Sequence, residues 1–431
     1  MSIAPMKMRF QQLASFKMAK TYVASGGSLV LSAAAQLLTF AILARWFGVD
    51  QFSLFVTLMA VANIAVHLCG LGAMESLLRR TAQDPSMYPK LLGHNILLTL
   101  PSAFAIIFVG SLVLPHYFKV SDDPIANFFL ITLMMTTNIL LVRVIVLVEQ
   151  IFIAHEKFAG ANATVLSFAI VRTIAAVTAC IVFGVTTVAS FIFWQFAAHV
   201  IVALGAIYAI RPYGRPVFSI VPEEVRQGLY FSIPFILRAT RQNVDVMVLN
   251  IVSTAEIVAS YSVARRIVES SYLSIDALNR LVYPGTAKVA VNGLHYAWGR
   301  VQKVFWITIT IAFSAALVVF LLAPLLPVIF GEGYTSLVDF TRVLCWVIIP
   351  MAVWVVAIEA LGASGNQKYR AWILGGGSIF GAIFIALGTW FYPPTGTIVA
   401  YYNVEILTAL VAWGIYFYVM KLSRTRSPEV S

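Results

Sequence analysis

Twelve stretches of mainly apolar residues, each about 20 residues or longer, follow one another along the chain: 22–46, 52–76, 91–115, 125–154, 160–184, 187–210, 228–252, 256–283, 303–330, 336–363, 370–392 and 396–420. At about 1.5 Å per helical residue, each can cross a hydrocarbon layer about 30 Å thick. A backbone surrounded by lipid must satisfy its own hydrogen bonds, so such stretches fold as helices. The rest of the composition agrees. Of 431 residues, 60% are hydrophobic and 11% charged, whereas soluble domains carry roughly 25% charged residues. The expected fold class is an all-α polytopic membrane protein of about twelve transmembrane helices. The first apolar run is long enough to span, and no signal-peptide pattern precedes it. Cys69, Cys180 and Cys345 each lie inside an apolar run and form neither a metal spacing nor a disulfide framework.

The net charge of +11 has a one-sided distribution. Lys7, Arg9, Lys17 and Lys20 precede the first span. Arg79, Arg80, Lys90 and Lys157 lie on connections of the same side, as do Arg211, Arg215, Arg226, Lys288, Arg300, Lys303, Lys368 and Arg370; Lys421, Arg424 and Arg426 close the chain. The opposite side offers little beyond Arg45 and Lys119. The positive-inside rule then places both termini in the cytoplasm, and topology accounts for the charge without nucleic acid. Anionic headgroups remain natural contacts for such loops. Met6 to Lys20 reads as a short interfacial helix. The external loops are short, which weighs against a polymerase or glycosyltransferase with a large catalytic loop.

The halves look duplicated. Asp50-Gln-Phe-Ser-Leu-Phe55 pairs with Glu256-Ile-Val-Ala-Ser-Tyr261, Leu114-Pro115 with Leu326-Pro327, Lys157-Phe158 with Lys368-Tyr369, and Thr186-x-Val188-Ala189 with Thr397-x-Val399-Ala400. Their order and near-constant offset imply two six-helix lobes in one orientation, related by a pseudo-two-fold axis along the membrane normal. The expected organisation is an N-terminal lobe at 1–210, a cytoplasmic linker at 211–227, a C-terminal lobe at 228–421 and a tail at 422–431.

Several motifs resemble a known family. Ala44-Arg45-Trp-Phe-Gly48-Val-Asp50-Gln-Phe52-Ser-Leu-Phe55, Gly70-Leu-Gly72 and Arg79-Arg80 are similar to the opening of Wzx-type polysaccharide flippases. Asn243-Val-Asp245, Ala259-Ser-Tyr261-Ser-Val-Ala264-Arg265-Arg266 and Leu361-Gly-Ala-Ser-Gly365-Asn-Gln-Lys368 extend the likeness over nearly the whole chain. That family belongs to the multidrug/oligosaccharidyl-lipid/polysaccharide (MOP) exporter superfamily. The resemblance implies a two-lobed MATE-like bundle in the bacterial inner membrane and no enzymatic activity. The implied activity is alternating-access transfer of an undecaprenyl-diphosphate-linked oligosaccharide to the periplasmic leaflet. Membrane lipids, and the polymerase and chain-length proteins of the same pathway, are the implied partners.

Charges inside spans are costly and face a bundle interior or water. Arg238, Arg241, Gln242 and Asp245 share one face of the seventh span, with Pro234. Arg265, Glu269, Asp276 and Arg280 form a narrow stripe on the eighth. Arg266 lies beside that stripe, and Arg143 and Arg172 lie in spans four and five. Guanidinium suits a lipid diphosphate, since it stays ionised and donates through two parallel N–H groups. The expected substrate site is Arg172, Arg238, Arg241, Arg265, Arg266 and Arg143. The plainer alternative is intrahelical pairing of Arg241 with Asp245, Arg265 with Glu269, Asp276 with Arg280, and Arg143 with Glu149. Asp245 and Glu269 are candidates for H+ or Na+ coupling, with no other cofactor and no metal site expected. Gln36, His67, Asn138, Gln195 and His199 read as helix–helix hydrogen bonders.

The apparent excess of intramembrane arginine favours an anionic substrate over the rival drug/cation antiporter. Missing external loops disfavour a membrane-embedded glycosyltransferase or polymerase. A lipid II flippase would often carry extra spans.

Overall fold

The computed structural model describes the backbone of residues 4–290 and 293–425, and side chains within 26–423 apart from 280, 281, 284, 291 and 292. The basic stretch Met6–Lys20 is helical in backbone; its side chains and the charged tail beyond residue 425 lie outside the described residues. The described chain is helical, without a β-strand. In order, the helices are α1 (Ala4–Leu68), α2 (Ala73–Gln83), α3 (Tyr88–Val113), α4 (Pro124–Met135), α5 (Val142–Ala154), α6 (Phe158–Ala176), α7 (Val188–Ile210) and α8 (Pro222–Arg241). There follow α9 (Val244–Val252), α10 (Ala255–Ala290), α11 (Leu294–Leu322), α12 (Leu326–Phe330), α13 (Leu337–Leu344), α14 (Ile348–Ala363), α15 (Gln367–Phe391) and α16 (Thr395–Thr425).

Among the described residues, nine helical stretches are long and apolar enough to cross a membrane. The first, Gly26–Gln83, has 58 residues, enough for two crossings. Gly48 interrupts it with φ 66°, a conformation open to glycine because it lacks Cβ. Spans seven and eight fall outside those nine: span seven is divided between α8, which is rich in charge, and the nine-residue α9, and α10 carries charged and polar residues along its length. They complete the expected twelve.

Local chemistry sets several boundaries. Asp123 caps α4, accepting from the backbone N–H groups of Ile125 and Ala126, and Thr187 caps α7 through Ser190 N–H. Residues 136–141 and 177–182 form wide π turns within their spans. Two breaks lay beyond the sequence reading. Span two is interrupted at Cys69–Gly72, where Gly70, Leu71 and Gly72 all have positive φ. Span seven, expected as one helix over 228–252, breaks at Gln242–Asn243 between α8 and α9.

The chain gathers into two compact units. One holds the chain up to Leu43 together with Ala65–Ser232; the other holds Ala44–Ile64 and Ile233–Ser431. In the first, the linker is fastened by backbone contacts. Val217 N–H donates to Pro89 C=O, and Val221 N–H donates to His94 Nδ1. Tyr213 lies among the rings of Tyr88, Phe152 and His155. Cys69, Cys180 and Cys345 are free and buried. In the second unit, the segment 44–64 packs through Phe52 on Tyr334, and Tyr334 Oη donates to Ala44 C=O at 2.6 Å.

Candidate functional site

The second unit concentrates charge around the break in span seven. Arg265, on α10, reaches across it. Its guanidinium bonds to Asp245 and to the Gln242 carbonyl, and Nε donates to Glu269 Oε1 at 3.1 Å. The break frees a carbonyl and begins a new helix, and Arg265 satisfies the first while pairing with the acid in the first turn of the second. Asp245 is fully buried. Its Oδ1 accepts from Val246 N–H at 2.8 Å, and its Oδ2 accepts from Tyr261 Oη at 2.7 Å as well as from Arg265. The Arg265 guanidinium also lies 5.7 Å from the Tyr401 ring centre.

The pairings differ from those expected along single helices. Arg241 pairs not with Asp245 but with Glu405 of α16, Nη1 to Oε1 at 3.0 Å. The second oxygen of Glu405 accepts from Trp354 Nε1 at 2.7 Å. Gly381 lies under the Arg241 stem, where a Cβ would stand 2.7 Å from Cδ. Arg265 with Glu269 holds as expected. Arg266 shares Glu269 at 3.7 Å. Arg370 Nη2 meets Glu359 Oε1 at 2.9 Å. The side chain of Arg280 lies outside the described residues, so its expected pairing with Asp276 does too.

These partners correct the charge argument drawn from sequence. Glu359 and Glu405 offset two arginines within the second unit, so the arginine excess assumed there largely disappears. Both acids were legible as single carboxylates in apolar runs. They were missed because helical spacing reveals partners on one helix and is blind to those on another.

Arg238 stands apart. It is exposed on α8 and has no ion pair or hydrogen bond among the described residues. Its charge acts on Tyr272, beside Asp276.

In the first unit, Arg172 lies with its guanidinium 5.1 Å from the Phe168 ring centre. Arg143 is 6% exposed and lies against the span-two break, its Nη2 3.4 Å from where a Cβ of Gly70 would stand. Glu149 makes no ion pair with it. The acid acting on it is Glu75 of α2. Arg79 and Arg80 are engaged by Glu224 at 3.0 and 2.7 Å. Asn138 and Gln195 bond to each other, Nε2 to Oδ1 at 3.0 Å.

Helices with breaks at mid-chain charges, gathered in two units, define a multi-pass membrane protein with the MATE fold. A multidrug resistance MATE transporter of the MOP superfamily, in an inward-facing conformation, superposes with a TM-score of 0.76 at 13% identity, over 92% of this chain and 96% of that one. An outward-facing structure of such a transporter gives 0.66 at 15% identity, over 95% and 97%. The Vibrio cholerae MATE transporter VcmN in its bent form gives 0.63 at 12%, over 96% and 99%. The chain belongs to the polysaccharide biosynthesis protein family, whose profile matches residues 19–289, the Wzx-type branch of the MOP superfamily that the motifs resemble. No curated protein sequence matches this chain.

Proposed function

We propose that this protein is a non-enzymatic flippase. It carries an undecaprenyl-diphosphate-linked oligosaccharide from the cytoplasmic to the periplasmic leaflet of the bacterial inner membrane, for surface polysaccharide synthesis. In this reading both termini are cytoplasmic, and the duplicated halves at 1–210 and 228–421 are the lobes that alternate access. Family membership supports the polysaccharide pathway. The observation that carries the anionic substrate is Arg238, an exposed guanidinium on a spanning helix to which no carboxylate among the described residues is bonded. Arg241 and Arg265 already bond acids and hold the helices around the break, so they frame the site, while Arg238 is available to a phosphate. Arg266 of α10, 37% exposed on its side chain and 3.7 Å from Glu269, is the second candidate donor.

The near balance of charge in this unit also favours a second reading, the cation antiporter, because Glu359 and Glu405 would suit a cationic cargo once their arginines moved. One comparison separates the two. Folded protein in detergent is titrated with a lipid diphosphate, with the uncharged lipid alcohol and with a lipophilic cation. The flippase reading expects a preference for the diphosphate that Arg238→Gln reduces by about 1.5–3 kcal/mol, roughly 10- to 150-fold in Kd. Lysine should restore it poorly, lacking the fork. A preference for the cation, or a diphosphate preference untouched by both Arg238→Gln and Arg266→Gln, would defeat it.

A further inference from the structure

Arg238 has polar company on its side of the second unit. Gln242 follows it by one turn, just past the end of α8, and its N–H still donates to the Arg238 carbonyl at 2.9 Å. At that spacing the two side chains share a face. The Gln242 side chain is exposed and makes no hydrogen bond among the described residues. Asn63, from the segment Ala44–Ile64, is also exposed. Its Nδ2 donates to Asn243 Oδ1 at 3.4 Å, and its Oδ1 has no partner among the described residues. Asn63 lies near the middle of the expected span 52–76, and Gln242 near the middle of the expected span 228–252. Polar side chains and broken helical backbone at that depth are costly against lipid and are tolerated where they border water or protein. Exposed amides from two spans, beside a helix break, therefore mark a hydrated face of this unit.

The backbone carrying these amides is fastened. Arg265 holds the Gln242 carbonyl, and the Ala239 carbonyl accepts from Asn243 Nδ2 at 2.7 Å. Asn243 thus closes the break with one end of its amide and holds Asn63 with the other. Gln242 and Asn63 keep unused donors and acceptors on a fixed frame, beside a guanidinium. A carboxamide donates and accepts at once and carries no charge. It complements a ligand that sets donors and acceptors side by side, as the hydroxyls of a sugar ring do. A few polar groups held in place by a rigid frame are what give such a site its selectivity.

We propose that Asn63 and Gln242 form a sugar subsite beside Arg238, contacting hydroxyls of the first sugar of the cargo while Arg238 takes its diphosphate. The subsite rests on the flippase reading and names the part of the cargo that this unit selects. Folded full-length protein in detergent is titrated with a lipid alcohol, with its diphosphate, and with that diphosphate bearing one glucose or one galactose. The parent should bind at least one glycosylated form more tightly than the bare diphosphate. Gln242→Met and Asn63→Leu keep side-chain size and remove the amide. Each should cut the gain from the sugar by about 2- to 10-fold, the worth of one hydrogen bond, and leave the affinity for the bare diphosphate unchanged. Arg238→Gln should instead weaken the bare and glycosylated forms by the same factor. Gln242→Met removes an exposed, unbonded amide, so its melting temperature should match the parent's, and it keeps the test decisive if Asn63→Leu disturbs Asn243. A glycosylated lipid bound no more tightly than the bare diphosphate, or a gain that both substitutions leave intact, would overturn the subsite and leave the flippase reading standing. A parent that does not prefer the diphosphate to the alcohol would remove the flippase reading, and the subsite with it.

Discussion

Replacing Arg265 by methionine tests whether the charge cluster holds the break in span seven together. The change removes the guanidinium from two carboxylates and one freed carbonyl while keeping a long apolar side chain. Glu269, about a third exposed, can turn to water or to Arg266. Asp245 cannot, because it is fully buried and keeps only Tyr261 Oη and Val246 N–H. Breaking a buried ion pair from one side costs about 3–5 kcal/mol, because the remaining charge is uncompensated. For a unit of about 200 residues this lowers the melting temperature by roughly 6–20 °C. Adding Asp245→Asn removes the stranded charge while retaining a group that accepts from Tyr261. The double variant should therefore be more stable than Arg265→Met alone and recover more than half of the loss. The assay is thermal unfolding in detergent of the parent, both single variants and the double. Additive losses, with no recovery in the double variant, would refute the view that Arg265 compensates a buried Asp245.

Three further expectations follow from the geometry. Burial pushes the Glu224 carboxyl up, but Ser76, Arg80 and Arg79 outweigh it and hold it below the usual carboxylate range. A depressed folded value gives stability that is present above the ordinary carboxylate pKa of about 4.3 and lost as pH falls through the lower folded value. Melting curves of the parent and Glu224→Gln should differ at neutral pH and converge in acid below that range. A methyl group at Gly93 would stand 2.0 Å from the Val217 carbonyl oxygen, so Gly93→Ala should loosen the linker, read as faster proteolysis between residues 211 and 221. Membrane-impermeant thiol labelling of single cysteines at residue 2, at Ser219 and at residue 430 should find all three on the cytoplasmic side, and external labelling of any one would remove the proposed topology.

How much of this was legible in the sequence varies with the range of the interaction involved. Crossing helices follow from runs of apolar residues, because the bilayer acts on each run separately. Arg265 with Glu269 was readable, because four residues on a helix bring two side chains onto one face. Arg241 with Glu405 was not, since 164 positions separate them and no local period joins them. The breaks show a similar division. Gly70-Leu-Gly72 was visible as a motif but not as an interruption. Arg238 and Arg241 in the last turn of α8, Asn243 at the cap and Asp245 in the first turn of α9 are stop and start signals, but they lie inside a run long enough to read as one span, and the break there is held by Arg265 from a different helix.

The segment Ala44–Ile64 belongs to one unit while the residues on both sides of it, up to Leu43 and from Ala65, belong to the other. The chain therefore passes from unit to unit three times, the third at Ser232 within α8. A gene cut at the linker would not yield two self-sufficient halves. The upstream product would carry the segment Ala44–Ile64, whose Phe52 packs on Tyr334, encoded downstream. The downstream product would begin without Phe52 against that ring. The chain is shared between the two units in this way, and pieces of it should accumulate stably only when made together.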